Sequence, residues 1–122
     1  MDVKINIIQN EGIQISEVIA DHIVVNNLSD ALNLMGESFF NGSSRILLYE
    51  KNIISDFFDL KSGLAGEILQ KFSTYRLRLA IVGDFSKFPG KSLKDFIFES
   101  NKLGRINFVE SREDALKQLS RN

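Results

Sequence analysis

The chain has 122 residues, the usual size of one domain and enough to bury a core without disulfides or a structural metal. It contains no cysteine, which excludes disulfide frameworks, thiolate zinc sites and cysteine nucleophiles, and is typical of a reducing compartment. Fifteen basic and sixteen acidic residues are interspersed, without the basic excess of nucleic-acid-binding proteins. No apolar run approaches the roughly 20 residues that span a bilayer. We expect a cytoplasmic protein that binds neither nucleic acid nor membrane.

Apolar and polar residues alternate over positions 3–7, which is the pattern of a half-buried strand, and Ile13, Ile15 and Val18 continue as a second strand. The segment 9–12 (QNEG) between them has the composition of a tight turn. The start of the chain therefore predicts an antiparallel β-hairpin.

Helices and strands alternate over the rest of the chain. Hydroxyl residues suited to helix caps, Ser29, Ser62, Ser92 and Ser111, precede four segments of helical periodicity. Their predicted apolar faces are Ala31, Leu34, Met35 and Phe39; Leu64, Ala65, Ile68, Leu69 and Phe72; Leu93, Phe96 and Ile97; and Ala115, Leu116 and Leu119. Short apolar runs at 45–49, 77–82 and 106–109 predict buried strands.

The resulting order, β-β-α-β-α-β-α-β-α, predicts one α/β domain over residues 1–122. We expect a mixed five-stranded sheet that begins with the antiparallel hairpin and continues with parallel strands. One core is expected to contain Ile46, Leu48, Leu69, Phe72, Leu79, Ile81, Phe96 and Leu116.

Three acids, Glu50, Asp84 and Glu110, each follow directly on a predicted parallel strand. Ligands of open α/β sheets bind outside the carboxyl ends of the strands, so the three carboxylates could hold a magnesium ion or position a base. Alternatively, they lie before helices because the positive end of the helix dipole favours acids. We favour the second interpretation, and no metal or cofactor is expected.

The segment 83–92 ends in Gly-Lys-Ser, as a phosphate-binding P-loop does, but the glycine that should stand five residues before Gly90 is Phe85. A nucleotide P-loop is therefore excluded. The start of the following helix still offers lysines and serines that could attract an anion. The candidate binding residues are Asp84, Phe85, Ser86, Lys87, Lys91 and Ser92. For Phe85 and Phe88 we favour packing on the core over recognition of a partner.

A second segment, Asp59 to Gly63, also leads into a predicted helix. Ser62 is expected to cap that helix, and a phosphate added to its hydroxyl would change the local charge sharply. Asp59, Ser62 and Gly63 are therefore a candidate switch. His22 is the only histidine, so the commonest proton-relay arrangements are missing, and no Gly-x-Ser-x-Gly motif supports a serine hydrolase.

Two long segments, FFDLKSGLAGEILQKF (57–72) and LAIVGDFSKFPGKSLKDFIFESN (79–101), resemble the bacterial family domain of unknown function 4180. That resemblance implies a small domain without an established activity. The element order also resembles the STAS domain of anti-sigma-factor antagonists, in which Asp-Ser-Ser-Gly-Leu opens a helix. Asp59 to Leu64 lies at that place with one extra residue. Ser62 then matches the second serine, and the phosphorylated position falls on Lys61.

The pattern favours a non-enzymatic regulatory or protein-interaction module that uses the surroundings of Ser62 and of residues 84–92. The alternative is a small-molecule or phosphate-binding protein, including an enzyme, that uses the loops at the carboxyl ends of the strands. A homodimer is also predicted, because Phe40 and Phe98 fall away from the apolar faces of their helices and, with Phe85 and Phe88 in a loop, are more apolar surface than a small monomer usually exposes. The competing explanation is that longer loops, particularly residues 50–60, fold over these rings within one chain.

Overall fold

The structure is a computed structural model that describes residues 3–121. Met1, Asp2 and Asn122, which belong to the predicted domain, lie outside the described residues. The strands are β1 (Lys4–Asn10), β2 (Ile13–Ile19), β3 (Arg45–Tyr49), β4 (Arg78–Val82) and β5 (Ile106–Val109). The helices are α1 (Leu28–Phe40), α2 (Leu64–Thr74), α3 (Lys91–Leu103) and α4 (Arg112–Leu119).

The five strands form one sheet in the order β1-β2-β3-β4-β5. β1 and β2 are antiparallel, and each later strand is parallel to the one before it. The predicted α/β fold, with a mixed sheet that begins with a hairpin, is confirmed. None of the described helices combines the length and the apolarity that a membrane span requires.

The sheet has helices on both faces, and the core is accordingly divided into two layers. Helices α1, α2 and α3 cover one face, where side chains such as Ile46 and Leu79 are buried. Helix α4 covers the other face, where it packs on Leu47 and Ala80. The prediction of a single core is wrong for Leu116, which belongs to the α4 layer. Successive residues of a strand point to opposite faces of the sheet. An apolar strand that is covered on both faces therefore contributes side chains to both layers of the core.

The helix ends agree with the predictions only in part. Ser111 caps α4 as predicted, accepting a hydrogen bond of 3.0 Å from the Asp114 amide. Helix α1 begins earlier than expected because Asn27, and not Ser29, is its cap. Helix α3 also begins earlier, since Gly90 is its cap and Ser92 lies within its first turn. The prediction that Phe39 faces the core is wrong, since its side chain is 79% exposed and Ser38 is buried instead.

The chain between β3 and α2 consists of three short 3-10 turns, Glu50–Asn52, Ser55–Phe58 and Leu60–Ser62. Phe57 and Phe58 in the second turn are buried in the layer shared with α1, α2 and α3. This burial draws the segment before α2 over the carboxyl end of the sheet, where the loop between β4 and α3 also lies.

Candidate functional site

The stacked rings of Phe58 and Phe88 join the two segments that the sequence singled out. Their centroids are 4.5 Å apart with the ring planes at 18°, and Phe85 lies 5.9 Å from Phe58. Phe85 and Phe88 are both half-buried against the core, as predicted. We call residues 59–63 and 84–92, together with this ring pair, the Phe58–Phe88 surface.

The first segment of the surface is a turn closed by its own polar groups. The Ser62 hydroxyl donates a hydrogen bond of 2.6 Å to the carbonyl oxygen of Asp56 and accepts one of 3.2 Å from the Leu64 amide. The Asp59 carboxylate accepts a bond of 3.2 Å from the Lys61 amide. Gly63 then adopts a left-handed φ of 78°, which turns the chain into α2. Ser62 thus lies two residues before α2, and Gly63, not Ser62 as expected, is the cap of that helix. The exposed Ser62 hydroxyl instead holds the preceding turn closed.

The second segment begins with a similar turn at Asp84. Its carboxylate accepts hydrogen bonds from the Ser86 hydroxyl at 2.5 Å and from the Ser86 amide at 3.1 Å. These bonds, the hydroxyl bond first, hold the pKa of Asp84 below its usual range. The carboxylate is therefore ionised, and the two hydrogen bonds that it accepts from Ser86 hold the loop in its conformation.

Both lysines of this segment form ion pairs. Lys87 Nζ lies 2.7 Å from Glu50 Oε1 and 5.5 Å from the centroid of the Phe88 ring. Lys91 Nζ lies 2.8 Å from Asp95 Oδ2, and the hydrogen bond to that carboxylate raises the pKa of Lys91. An anion at the start of α3 would have to compete with both carboxylates for these ammonium groups.

The three acids at the carboxyl ends of the strands have separate roles. Glu50 pairs with Lys87, Asp84 bonds Ser86, and Glu110 is exposed before α4. Within residues 3–121, no group of three or more histidine, aspartate or glutamate side chains is placed to hold a metal ion. Of the two interpretations of these acids, the structure contradicts the shared metal site.

A polar cluster that the sequence analysis missed lies on the α4 side of the sheet. Glu17 of β2 is buried, and its carboxylate accepts hydrogen bonds from three different elements. The donors are Tyr49 Oη at 2.5 Å, Arg112 Nε at 2.9 Å and Nη2 at 3.2 Å, and Asn6 Nδ2 at 3.1 Å. The signal in the sequence was an acid at an inward register position of β2, among Ile13, Ile15 and Ile19.

The cluster fixes the protonation states of its members. Burial alone would raise the pKa of Glu17, but the hydrogen bonds from Arg112, Tyr49 and Asn6 outweigh it and the pKa is lowered. Burial and the Glu17 carboxylate raise the pKa of Tyr49 to about 12, so the phenol keeps its proton and donates it. A satisfied, charge-balanced network of this kind secures α4 on the sheet.

The sheet order and the surface at its carboxyl end define a mixed α/β domain with a hairpin at one edge. The family profile described as domain of unknown function (DUF4180) matches residues 10–119, and the chain belongs to that family. No curated protein matches the chain. It is similar to a solved structure from Thermotoga maritima whose description suggests an anti-sigma factor antagonist. The identity is 16%, the match covers 96% of this chain and 95% of the other, and the TM-score is 0.49.

Proposed function

We propose that the protein is a non-enzymatic regulatory module of the bacterial cytoplasm that binds a protein partner through the Phe58–Phe88 surface. The main support for this proposal is the stacked ring pair, which joins two loops distant in sequence into one surface. Each loop is held by its own side-chain hydrogen bonds, so little conformational entropy is lost when a partner binds. A half-buried aromatic ring surrounded by exposed polar groups is also a common anchor of protein interfaces.

Ser62 is the proposed switch of this surface, together with Asp59 and Gly63. A phosphate on the Ser62 oxygen would remove the proton that the hydroxyl donates to the carbonyl oxygen of Asp56. It would also place negative charge two residues before the start of α2, where the helix dipole favours an anion. Both effects would reshape the turn beside Phe58 and change the surface offered to the partner.

The alternative, a phosphate or small-molecule site at Asp84, Lys87, Lys91 and Ser92, has less support. It requires free cationic groups, and the ammonium groups of both lysines are paired with carboxylates. A thermal-shift comparison separates the two functions. If the loop is an anion site, phosphate will raise the melting temperature of the wild type above a chloride control, and the double variant Lys87→Ala and Lys91→Ala will lose that rise.

Photo-crosslinking in the protein's own host cells tests the interaction directly. A crosslinking amino acid is placed at Lys61 or Ser86, one in each loop, and at Glu113 on α4 as the matched control. We expect the same protein adduct from both loop positions and none from position 113. The purified partner should then bind the Lys61→Glu variant more weakly than the wild type. Failure of the two loop positions to trap a common protein would contradict the proposal.

Self-association as a homodimer is also proposed. Its support is the exposure of large aromatic side chains, 93% for Phe40 and 65% for Phe98. Closed dimers are the commonest oligomers, and burial of the apolar surface around either of these rings at one self-complementary interface would explain its exposure. Sedimentation equilibrium at micromolar concentration tests this part of the proposal, and a monomer mass throughout would contradict it.

A further inference from the structure

The outward face of α1 carries large apolar side chains around a glycine. Gly36 and Phe40 lie on the side away from the core when the helix is stepped at about 100° per residue. Phe39 lies beside them, and Leu32 is one turn before Gly36. Phe39 and Phe40 are 79% and 93% exposed. These residues form a continuous apolar surface, which we call the α1 face.

Two grooves flank Gly36 on this face. One, of about 510 Å³, lies between α1 and the end of α2; the other, of about 440 Å³, lies between α1 and β1. The first is lined by Leu32, Met35, Gly36, Phe39, Tyr75 and Leu77, and the second by Ile5, Gly36, Glu37, Phe40 and Asn41. The α1 face thus carries both protruding rings and the depressions that could receive such rings.

The chain's own packing gives no reason for a glycine at position 36. A Cβ atom built there meets nothing within 4 Å. Glycine in the interior of a helix is less stable than alanine, so its presence on an open face has a cost. A close approach by another backbone would account for it.

We propose that two copies of the chain pack through the α1 face, with the two α1 helices antiparallel and crossing near Gly36. In that arrangement Phe39 and Phe40 of each copy lie level with Leu32 to Gly36 of the other. The rings of each copy can then enter the grooves of the other, as a two-fold interface requires of one surface patch. The inference rests on the homodimer part of the proposed function and adds its interface.

The exposed area agrees with what a dimer needs. Taking about 200 Å² for a fully exposed aromatic side chain, Phe39, Phe40 and Tyr75 together offer about 450 Å². A standard interface takes about 800 Å² from each partner, of which roughly 60% is apolar. The α1 face therefore supplies almost the whole apolar share of one partner.

Three variants and one control test the interface by sedimentation equilibrium over a range of concentrations. Phe40→Glu and Gly36→Leu should each raise the dimer dissociation constant by at least about tenfold, since both act at the centre of the interface. Gly36→Ala should weaken the dimer less, yet raise the melting temperature of the monomer at high dilution because alanine favours the helix. Phe98→Glu, on the exposed side of α3, is the matched control and should leave the dimer intact.

The outcomes distinguish this inference from the proposals on which it rests. A dimer that Phe98→Glu dissociates, while Phe40→Glu and Gly36→Leu do not, would overturn the α1 interface and keep the homodimer. A wild-type monomer at all concentrations would overturn both. Neither result bears on partner binding through the Phe58–Phe88 surface, which the crosslinking experiment tests separately. Circular dichroism of each variant verifies that it is folded.

Discussion

Glu17 and Arg112 are 95 positions apart in the sequence, yet the guanidinium of Arg112 donates to both carboxylate oxygens of Glu17, at 2.9 and 3.2 Å. The pair connects β2 with the first residue of α4. Because α4 alone covers its face of the sheet in the described residues, this contact adds a polar attachment at its first residue to the packing of Ala115 and Leu119.

The stability of the fold should depend on pH through Glu17. Its pKa in the folded state lies below the ordinary value of 4.5. As the pH falls, this carboxylate is therefore protonated in the unfolded chain before it is protonated in the folded protein. The stabilisation is complete above pH 4.5 and is lost as the pH falls from there through the folded pKa. Urea denaturation at a series of pH values should show this loss in the wild type.

Glu17→Gln is the matched variant, because it keeps the size and the amide can still accept a hydrogen bond. At neutral pH we expect it to lower the free energy of unfolding by about 2 kcal/mol, a typical contribution of a hydrogen bond to a charged group. Below pH 4.5 the difference from the wild type should shrink. A difference that stays constant across the series would show that the ionised carboxylate contributes nothing.

Adjacent residues of α2 should differ in their contribution to stability. Ile68 is buried, whereas Leu69 is only half-buried against the same layer, less than the sequence predicted. Ile68→Ala should cost about 2–5 kcal/mol by loss of buried surface and formation of a cavity. Leu69→Ala should cost clearly less in the same urea titration, and equal losses would contradict the assignment of the buried face.

The element order and the hairpin could be predicted because periodicity and turn chemistry are local properties. The division of the core could not, since Leu47 and Leu48 are equally apolar and only the sheet decides which layer each joins. The predicted burial of Phe39 was wrong because a ring at the edge of the apolar face of a helix can point toward the core or toward solvent. Both candidate loops were identified, but the stacking of Phe58 on Phe88 depends on a contact between residues 30 positions apart.

The hairpin turn between β1 and β2 carries a residue that suits its conformation poorly. Glu11 and Gly12 have φ angles of 54° and 79°, and Asn10 pairs with Ile13 around them. Turns with two positive φ angles favour Asn-Gly, because asparagine tolerates the left-handed region better than glutamate does. Glu11→Asn should raise the free energy of unfolding by about 0.5 kcal/mol. Glu11→Val, a β-branched control, should lower it, and the opposite order would exclude this turn.

Gly83 allows the close approach of two chain segments at the carboxyl end of the sheet. A Cβ atom at this position would lie 2.5 Å from Cβ of Glu50, too close for any real contact. The carbon it meets is next to the backbone, so Glu50 cannot avoid it by rotating the end of its side chain. In Gly83→Ala the ends of β3 and β4 must therefore separate, and the bond between Glu50 and Lys87 should weaken.

We expect Gly83→Ala to lower the free energy of unfolding by about 1–3 kcal/mol, the usual cost of overpacking. Gly66 in α2 is the matched control, because a Cβ atom there meets nothing within 4 Å. Gly66→Ala should be neutral or raise stability by up to about 1 kcal/mol, since alanine favours the helix. Paired urea titrations measure both changes. If Gly83→Ala is as stable as Gly66→Ala, Glu50 does not lie against Gly83, and the anchoring of Lys87 by Glu50 must be reconsidered.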